Sequence, residues 1–266
     1  MRRKLGRSEV RTGAATQLLE TLHRYVYSRH LDRNEALLFE EIPLAEYALR
    51  ACIPLERTAL HNVLYDLAYN EWYVTTYDDF DFASDLLPEI RDFLSFTFRE
   101  MRTALPPDFE TNNPDDFRAA RNKYRQVFLD GLHFIVEDTF ALAWRLKSLL
   151  ADFNKSLAAR ICGMKLSDDP RLAADGRLPR PNYIPAWVIT VLHQRDGGFC
   201  QKCGCPAVPS LGSDEAPHVD HIVALANGGG SDVTNLRLMC AKCNLEKGAS
   251  DTLVADQFAW PNSRPI

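Results

Sequence analysis

The chain has 266 residues, of which 46% are hydrophobic and 25% charged, and a formal net charge of −5. That composition excludes a disordered or fibrous chain, and the length suits two ordinary domains, each with its own core. The acidic balance counts against a protein that coats nucleic acid by bulk charge, although a locally positive groove stays compatible with it.

No apolar run approaches the ~18 residues of a membrane span, so no membrane role is expected. The opening MRRKLGRSEVR reads as a short basic arm. It leads into a polar amphipathic stretch rather than a signal-peptide core, which predicts a cytoplasmic protein. Leu18, Leu19, Leu22 and Val26 fall at helical spacing, and a second helix is expected over about Pro43–Ala51. A third covers residues 55–70, with Leu60, Val63, Leu64 and Leu67 on one face, and YVTTYDD after it reads as a short strand. Helix, turn, helix, strand is the outline of a winged helix-turn-helix. It fits DNA binding or a plain helical scaffold. Arg57 stands against Glu56, Asp66 and Glu71, and so little positive charge favours the scaffold.

Residues 86–104 predict a helix ended by Pro106-Pro107. Asn113-Pro114 starts another, almost continuous to about Lys165. Its apolar stripe is Phe117, Tyr124, Phe128, Leu132, Ile135 and Leu142, while Arg118, Arg121, Lys123 and Arg125 are expected on a solvated face. Such a stripe is a core or a packing surface for a partner or a second copy. LSDDPRLAADGRLPRPNY, residues 166–183, is rich in Pro, Gly and charge and reads as a linker or an extended wrap. The expected organisation is a mainly α region over 1–165, a helical bundle with a winged-helix-like start. A linker over 166–183, a small α+β domain over 184–250 and a tail over 251–266 follow it.

Five of the seven cysteines lie between residues 200 and 243. Cys200 and Cys203 form one Cys-x-x-Cys knuckle, and Cys240 and Cys243 another. Four thiolates suit tetrahedral Zn²⁺ at ~2.3 Å per bond, and a structural ion would stabilise a domain too small for a large core. Cys205 could replace Cys203 in the set but reads as a bystander. Between the knuckles, His218-Val219-Asp220-His221-Ile222 reads as a strand, ANGGGSD as a turn and Thr234-Asn235-Leu236-Arg237-Leu238 as a second strand or its entry. A helix containing Asn244 and Lys247 starts at Cys240. Asp220 and His221 are adjacent, so on a strand they point to opposite faces unless the backbone twists or ends there. Strand, loop, strand, helix around zinc knuckles is the ββα-metal arrangement.

RDGGFCQKCG, VDHI, the Gly-Gly turn, TNLRLMC and AKCNLEKG occur in that order, and residues from about 184 to 250 resemble an HNH endonuclease domain of the four-cysteine zinc type. The resemblance covers about a quarter of the chain. It implies a structural zinc on Cys200, Cys203, Cys240 and Cys243, and His221 as the general base that takes a proton from the attacking water. It implies Asp220 and Asn244 as ligands of a catalytic cation and Asn235 as the residue that holds the loop and orients the histidine. Oxygen ligands favour Mg²⁺ or Mn²⁺ there. Neutral histidine, with a pKa near ~6.5, can accept a proton at physiological pH. Arg237 and Lys247 are candidate phosphate contacts, and His218 shares strand parity with Asp220. The implied activity is hydrolysis of DNA, double-stranded in expectation, with a protein partner or self-association through the helical region. By analogy with the family, a bacterial restriction or anti-phage defence system is the expected setting. The competing reading is a non-catalytic zinc module that binds nucleic acid or protein.

Overall fold

A computed structural model describes residues 13–27, 39, 42–73, 87–212 and 216–247. The helices are α1 (Gly13–Tyr27), α2 (Leu44–Arg50), α3 (Ala59–Tyr73), α4 (Leu87–Glu100), α5 (Pro114–Ala143), α6 (Lys147–Ile161), α7 (Ala186–Asp196) and α8 (Ala241–Lys247). The strands β1 (His218–His221) and β2 (Leu236–Met239) form an antiparallel pair. The protein is thus mainly α with a small α+β end, as the sequence implies. The basic arm, most of the expected YVTTYDD strand and the tail over 251–266 lie outside the described residues. Among the described residues no helix is long and apolar enough to cross a membrane.

Contacts divide the chain into two units. One comprises residues 1–42 and 60–142, the other 43–59 and 143–266. The first is helical. Leu60, Val63, Leu64 and Leu67 are all buried, as are Leu18 and Leu22 of α1. These are the faces that 3.6-residue spacing marks out. On α5, Phe117, Phe128, Leu132 and Ile135 are buried, with Tyr124 and Leu142 half-buried beside them. Asn113 Oδ1 accepts the Asp115 N–H at 2.9 Å and Pro114 fills the first turn, so the helix starts where the sequence places it. Arg121 departs from expectation. It is 6% exposed and lines a small cavity with Leu94, Phe98, Phe109, Tyr124 and Phe128. Its hydrocarbon stem suits that apolar wall.

The second unit draws in segments far from the cysteine region in sequence. The expected continuous helix from 114 to 165 breaks after Ala143. Trp144 packs beside Val188, Leu192, Val208, Val233, Leu236 and Leu238, the core between α7 and β2. α2 packs on α6, and α6 on the turn over Val233–Asn235. The Pro- and Gly-rich stretch over 166–183 wraps this unit. Leu172 and Leu178 are buried, and Arg171 grips both oxygens of Glu46 at 3.0 and 2.7 Å and both of Asp169. Residues 43–59 and 143–165 therefore belong with the ββα element, although the sequence groups them with the N-terminal region.

Candidate metal centre and catalytic strand

The first knuckle is a tight loop. Cys200 donates its N–H to the Cys205 carbonyl at 2.8 Å, and Gly204 donates to the Cys200 carbonyl at 2.9 Å. Gly204 has φ +74, the left-handed backbone that lets the chain reverse between Cys203 and Cys205. Gln201 N–H binds the Leu238 carbonyl at 3.0 Å, fastening the knuckle to β2. Cys240, between β2 and α8, and Cys243 in the first turn of α8 come back to the same place, over Ala207 and Met239.

The sulfurs of Cys200, Cys203, Cys205 and Cys240 lie within 4.8 Å of one another. Cys203 Sγ is 3.2 Å from Cys205 Sγ and 3.8 Å from Cys240 Sγ. Cys243 donates its N–H to Cys240 Sγ at 3.5 Å and is buried with Cys200, with Cys205 and Cys240 packed against them. Three of the four expected ligands, Cys200, Cys203 and Cys240, thus fall in this cluster; its fourth member is Cys205, the bystander of the sequence, and Cys243 packs beside it. The Cys205 N–H, and then its thiol, push the Cys203 thiol down to about 6. Cys205 is pushed up by its Cys203 neighbour, and Cys243 by burial. Several thiolates this close repel one another, and a divalent ion relieves that repulsion. The donor set therefore fits a structural zinc-type site.

Across the β1–β2 ladder, Asp220 pairs with Arg237 and His221 with Leu236. Asp220 Oδ2 accepts from Arg237 Nε at 3.0 Å and from Lys247 Nζ at 2.8 Å. Arg237 and Lys247, expected at a phosphate, are 1% and 3% exposed and are turned onto this carboxylate. A buried cation needs a counter-charge, and Asp220 supplies it to both. Lys247 Nζ also binds the His221 carbonyl. Asn244 Nδ2 lies 3.2 Å from His218 Nδ1, so His218 and Asn244 meet.

His221 Nε2 lies 3.0 Å from the Ser231 hydroxyl. Burial pushes the His221 pKa down to about 4, against the opposing pull of Asp220 and with Arg180 and Lys247 reinforcing it. The imidazole is therefore neutral at physiological pH. Asn235 is fully buried and holds the loop after His221. Its Nδ2 donates to the carbonyls of Val223 at 2.9 Å and Gly230 at 2.7 Å, and its Oδ1 accepts the Val223 N–H at 2.8 Å. Gly229 is required within that loop, because a Cβ there would sit 1.9 Å from the Val223 carbonyl oxygen. Ser231 N–H binds the Ala51 carbonyl at 2.6 Å. Asp232 accepts the N–H groups of Thr234 at 2.9 Å and Ala59 at 2.7 Å. At the other end of β2, buried Asp196 accepts the Leu238 N–H at 2.9 Å, with Arg195 Nε at 2.8 Å and Lys147 Nζ at 3.6 Å.

Sequence reasoning missed Ser231, Asp196 and Asp232. The run GGGSD reads only as a turn, and nothing local marks its serine as the partner of a histidine ten residues earlier.

The strand, loop, strand and helix around clustered cysteines define an HNH-type domain. The HNH endonuclease family model matches residues 200–250, and the chain carries that domain there. No curated protein and no solved structure matches the chain. An HNH domain implies a nucleic-acid substrate and a nuclease-type function.

Proposed function

We propose that the protein is a metal-dependent endonuclease that hydrolyses DNA phosphodiester bonds with His221 as general base. The observation that carries this reading is the placement of His221. Its Nε2 is engaged by Ser231, which leaves Nδ1 for a water, and Asn235 fixes the loop that carries Ser231. Asp220 and Asn244, the latter with His218 beside it, would hold Mg²⁺ or Mn²⁺. That ion would supply charge stabilisation at the phosphate and at the departing 3′ oxygen. His221 takes the proton of the attacking water, Ser231 keeps its ring in place and Asn235 keeps Ser231 in place. The cysteine cluster holds a separate, structural zinc.

Arg237 and Lys247 are assigned here to Asp220 in the absence of substrate. Either could reach a phosphate only by leaving that carboxylate. The substrate is proposed to be double-stranded DNA. The helical first unit is proposed to bind a protein partner or a second copy, as in a nuclease effector of a restriction or anti-phage system in the cytoplasm. Light scattering that finds only a 30.2 kDa monomer would rule out self-association.

One observation favours a non-catalytic zinc module: two buried cations already neutralise Asp220. Plasmid cleavage with Mg²⁺ or Mn²⁺ decides between the two. Cleavage that disappears in His221→Ala supports the nuclease. DNA binding without cleavage across several divalent ions supports the module, and full cleavage by His221→Ala overturns the assignment of the base.

A further inference from the structure

Cys203 and Cys205 stand on either side of Gly204, and their sulfurs lie 3.2 Å from each other. Four thiolates at ~2.3 Å from one tetrahedral ion stand about 3.8 Å apart. Cys203 and Cys240 have that spacing, at 3.8 Å, so Cys203 sits as a ligand sits. The Cys203–Cys205 contact is too short for both sulfurs to bind the same ion. Cys205 is therefore a thiol held against a ligand sulfur.

The contact is about 1.2 Å longer than a disulfide bond of ~2.0 Å. Gly204 between the two has left-handed backbone, and a Cβ there would meet nothing within 4 Å, so the turn has room to close. Cys203 is exposed and Cys205 half-buried, whereas Cys200 and Cys243 are buried. A small oxidant arriving from solvent thus meets Cys203 first, with Cys205 beside it. An exposed thiolate with a second thiol at hand is the arrangement of a redox-sensing cysteine.

We infer that Cys203 and Cys205 are a peroxide-sensitive pair, whose oxidation to a disulfide takes a ligand from the zinc site and so disarms the ββα element. This rests on the reading of the cluster as a zinc site. The Cys203 thiolate attacks hydrogen peroxide. An S–O bond forms, the O–O bond breaks, and the hydroxide that leaves takes a solvent proton to become water. The Cys205 sulfur then displaces the oxygen of the sulfenic acid. The S–S bond forms, the S–O bond breaks, and a second water carries off the Cys205 proton. The two sulfurs give up two electrons and the peroxide takes them. Of the clustered sulfurs only Cys200 and Cys240 then remain to hold an ion. A dithiol reductant reopens the bond by exchange and lets the site refill.

The test uses the full chain purified with zinc. Hydrogen peroxide is added, released zinc is read with a chromophoric chelator, and the cysteine peptides are mapped by mass spectrometry. Wild type should release about one zinc per chain as two thiols disappear, with the new bond between Cys203 and Cys205. Dithiothreitol and added zinc should restore both. Cys205→Ser should also be purified with zinc. Under the same peroxide it should gain oxygens at Cys203, and its recovery of zinc after dithiothreitol should fall roughly tenfold, because sulfinic acid is not reduced by thiols. A disulfide between any other two cysteines, a Cys203–Cys205 bond formed with zinc retained, or full recovery in Cys205→Ser overturns the pair. Cys205→Ser purified without zinc makes Cys205 a ligand and overturns it as well. Wild type purified without zinc overturns the metal reading, and the release with it. Zinc held through peroxide with no thiol lost overturns the switch alone.

Discussion

The hydroxyl of Ser231 lies 3.0 Å from His221 Nε2, and the Ser231 N–H is held by the Ala51 carbonyl. The ring that would act as base is thus oriented from a loop, and that loop is anchored to a residue 180 positions earlier in the chain. Removing the hydroxyl should leave the histidine in place and loosen its orientation. Ser231→Ala is expected to lower the single-turnover rate of DNA cleavage about fivefold with little change in KM, since one hydrogen bond contributes roughly 1 kcal/mol. Ser231→Thr should recover part of that loss. An unchanged rate in Ser231→Ala would remove Ser231 from the site.

Asn235 makes a sharper demand. Its amide donates to two carbonyls and accepts one N–H while fully buried. Asn235→Asp keeps the shape but sets a carboxylate oxygen against two carbonyl oxygens. A destabilisation on the order of 3 kcal/mol is expected, with cleavage lost. Denaturant melts of the variant and the wild type measure it.

The legibility of this protein in its sequence follows the range of the interactions. Helical spacing found the buried faces of α1, α3 and α5 because Leu18, Leu64 or Phe128 is buried by a periodicity within its own helix. The knuckles, Asp220-His221 and Asn235 were readable because zinc and strand chemistry impose short, fixed spacings. Ser231, Asp196 and Asp232 were not, because each is defined by a partner that only the fold supplies: His221, Leu238 and Ala59. Arg237 and Lys247 looked like phosphate contacts because the sequence shows their charge and not their burial. Residues 166–183 read as a linker from composition, yet Leu172, Leu178 and the Arg171–Glu46 pair make them part of the second unit.

That pair gives the pH prediction. The hydrogen bonds from Arg171, and then Arg50, hold the Glu46 carboxyl at about 2, well below its ordinary 4.5. A carboxyl depressed on folding adds stability above its unfolded pKa, and that contribution is lost as pH falls toward the folded value. The second unit should lose it progressively from about pH 5 downward, faster in wild type than in Glu46→Gln. Both groups reach solvent, so the effect should stay below about 1 kcal/mol. Thermal melts at pH 3 and pH 6 should show the gap between the two proteins narrowing at the lower pH.

Loss of the thiols should be far more damaging. Cys240 is one of the clustered sulfurs and lies between β2 and α8. Apparent zinc-binding energies of about 10 kcal/mol or more in small domains exceed the stability of most such domains. Cys240→Ser, or prolonged chelation of wild type, is expected to unfold the ββα element. The near-ultraviolet dichroism of Trp187 and Trp144, which pack on its core, should be lost while much of the helical signal of the first unit remains. Retention of the aromatic signal would show that the element stands without its metal.

The ion pair on Asp220 makes the last prediction. Arg237 and Lys247 place two positive charges against the carboxylate assigned to the catalytic cation. A divalent ion arriving there must share the carboxylate with them or displace one, and repulsion from Lys247 opposes it. Lys247→Met keeps most of the buried stem and removes the charge. It should therefore lower the Mg²⁺ concentration that gives half-maximal cleavage, by about three- to tenfold. The Lys247 ammonium also holds the His221 carbonyl, so the maximal rate should fall as the metal requirement falls. Metal titrations of cleavage by the two proteins separate these effects. A Mg²⁺ requirement that rises in Lys247→Met would instead make the lysine a substrate or metal-site contact. It would then have to leave Asp220 once DNA is bound.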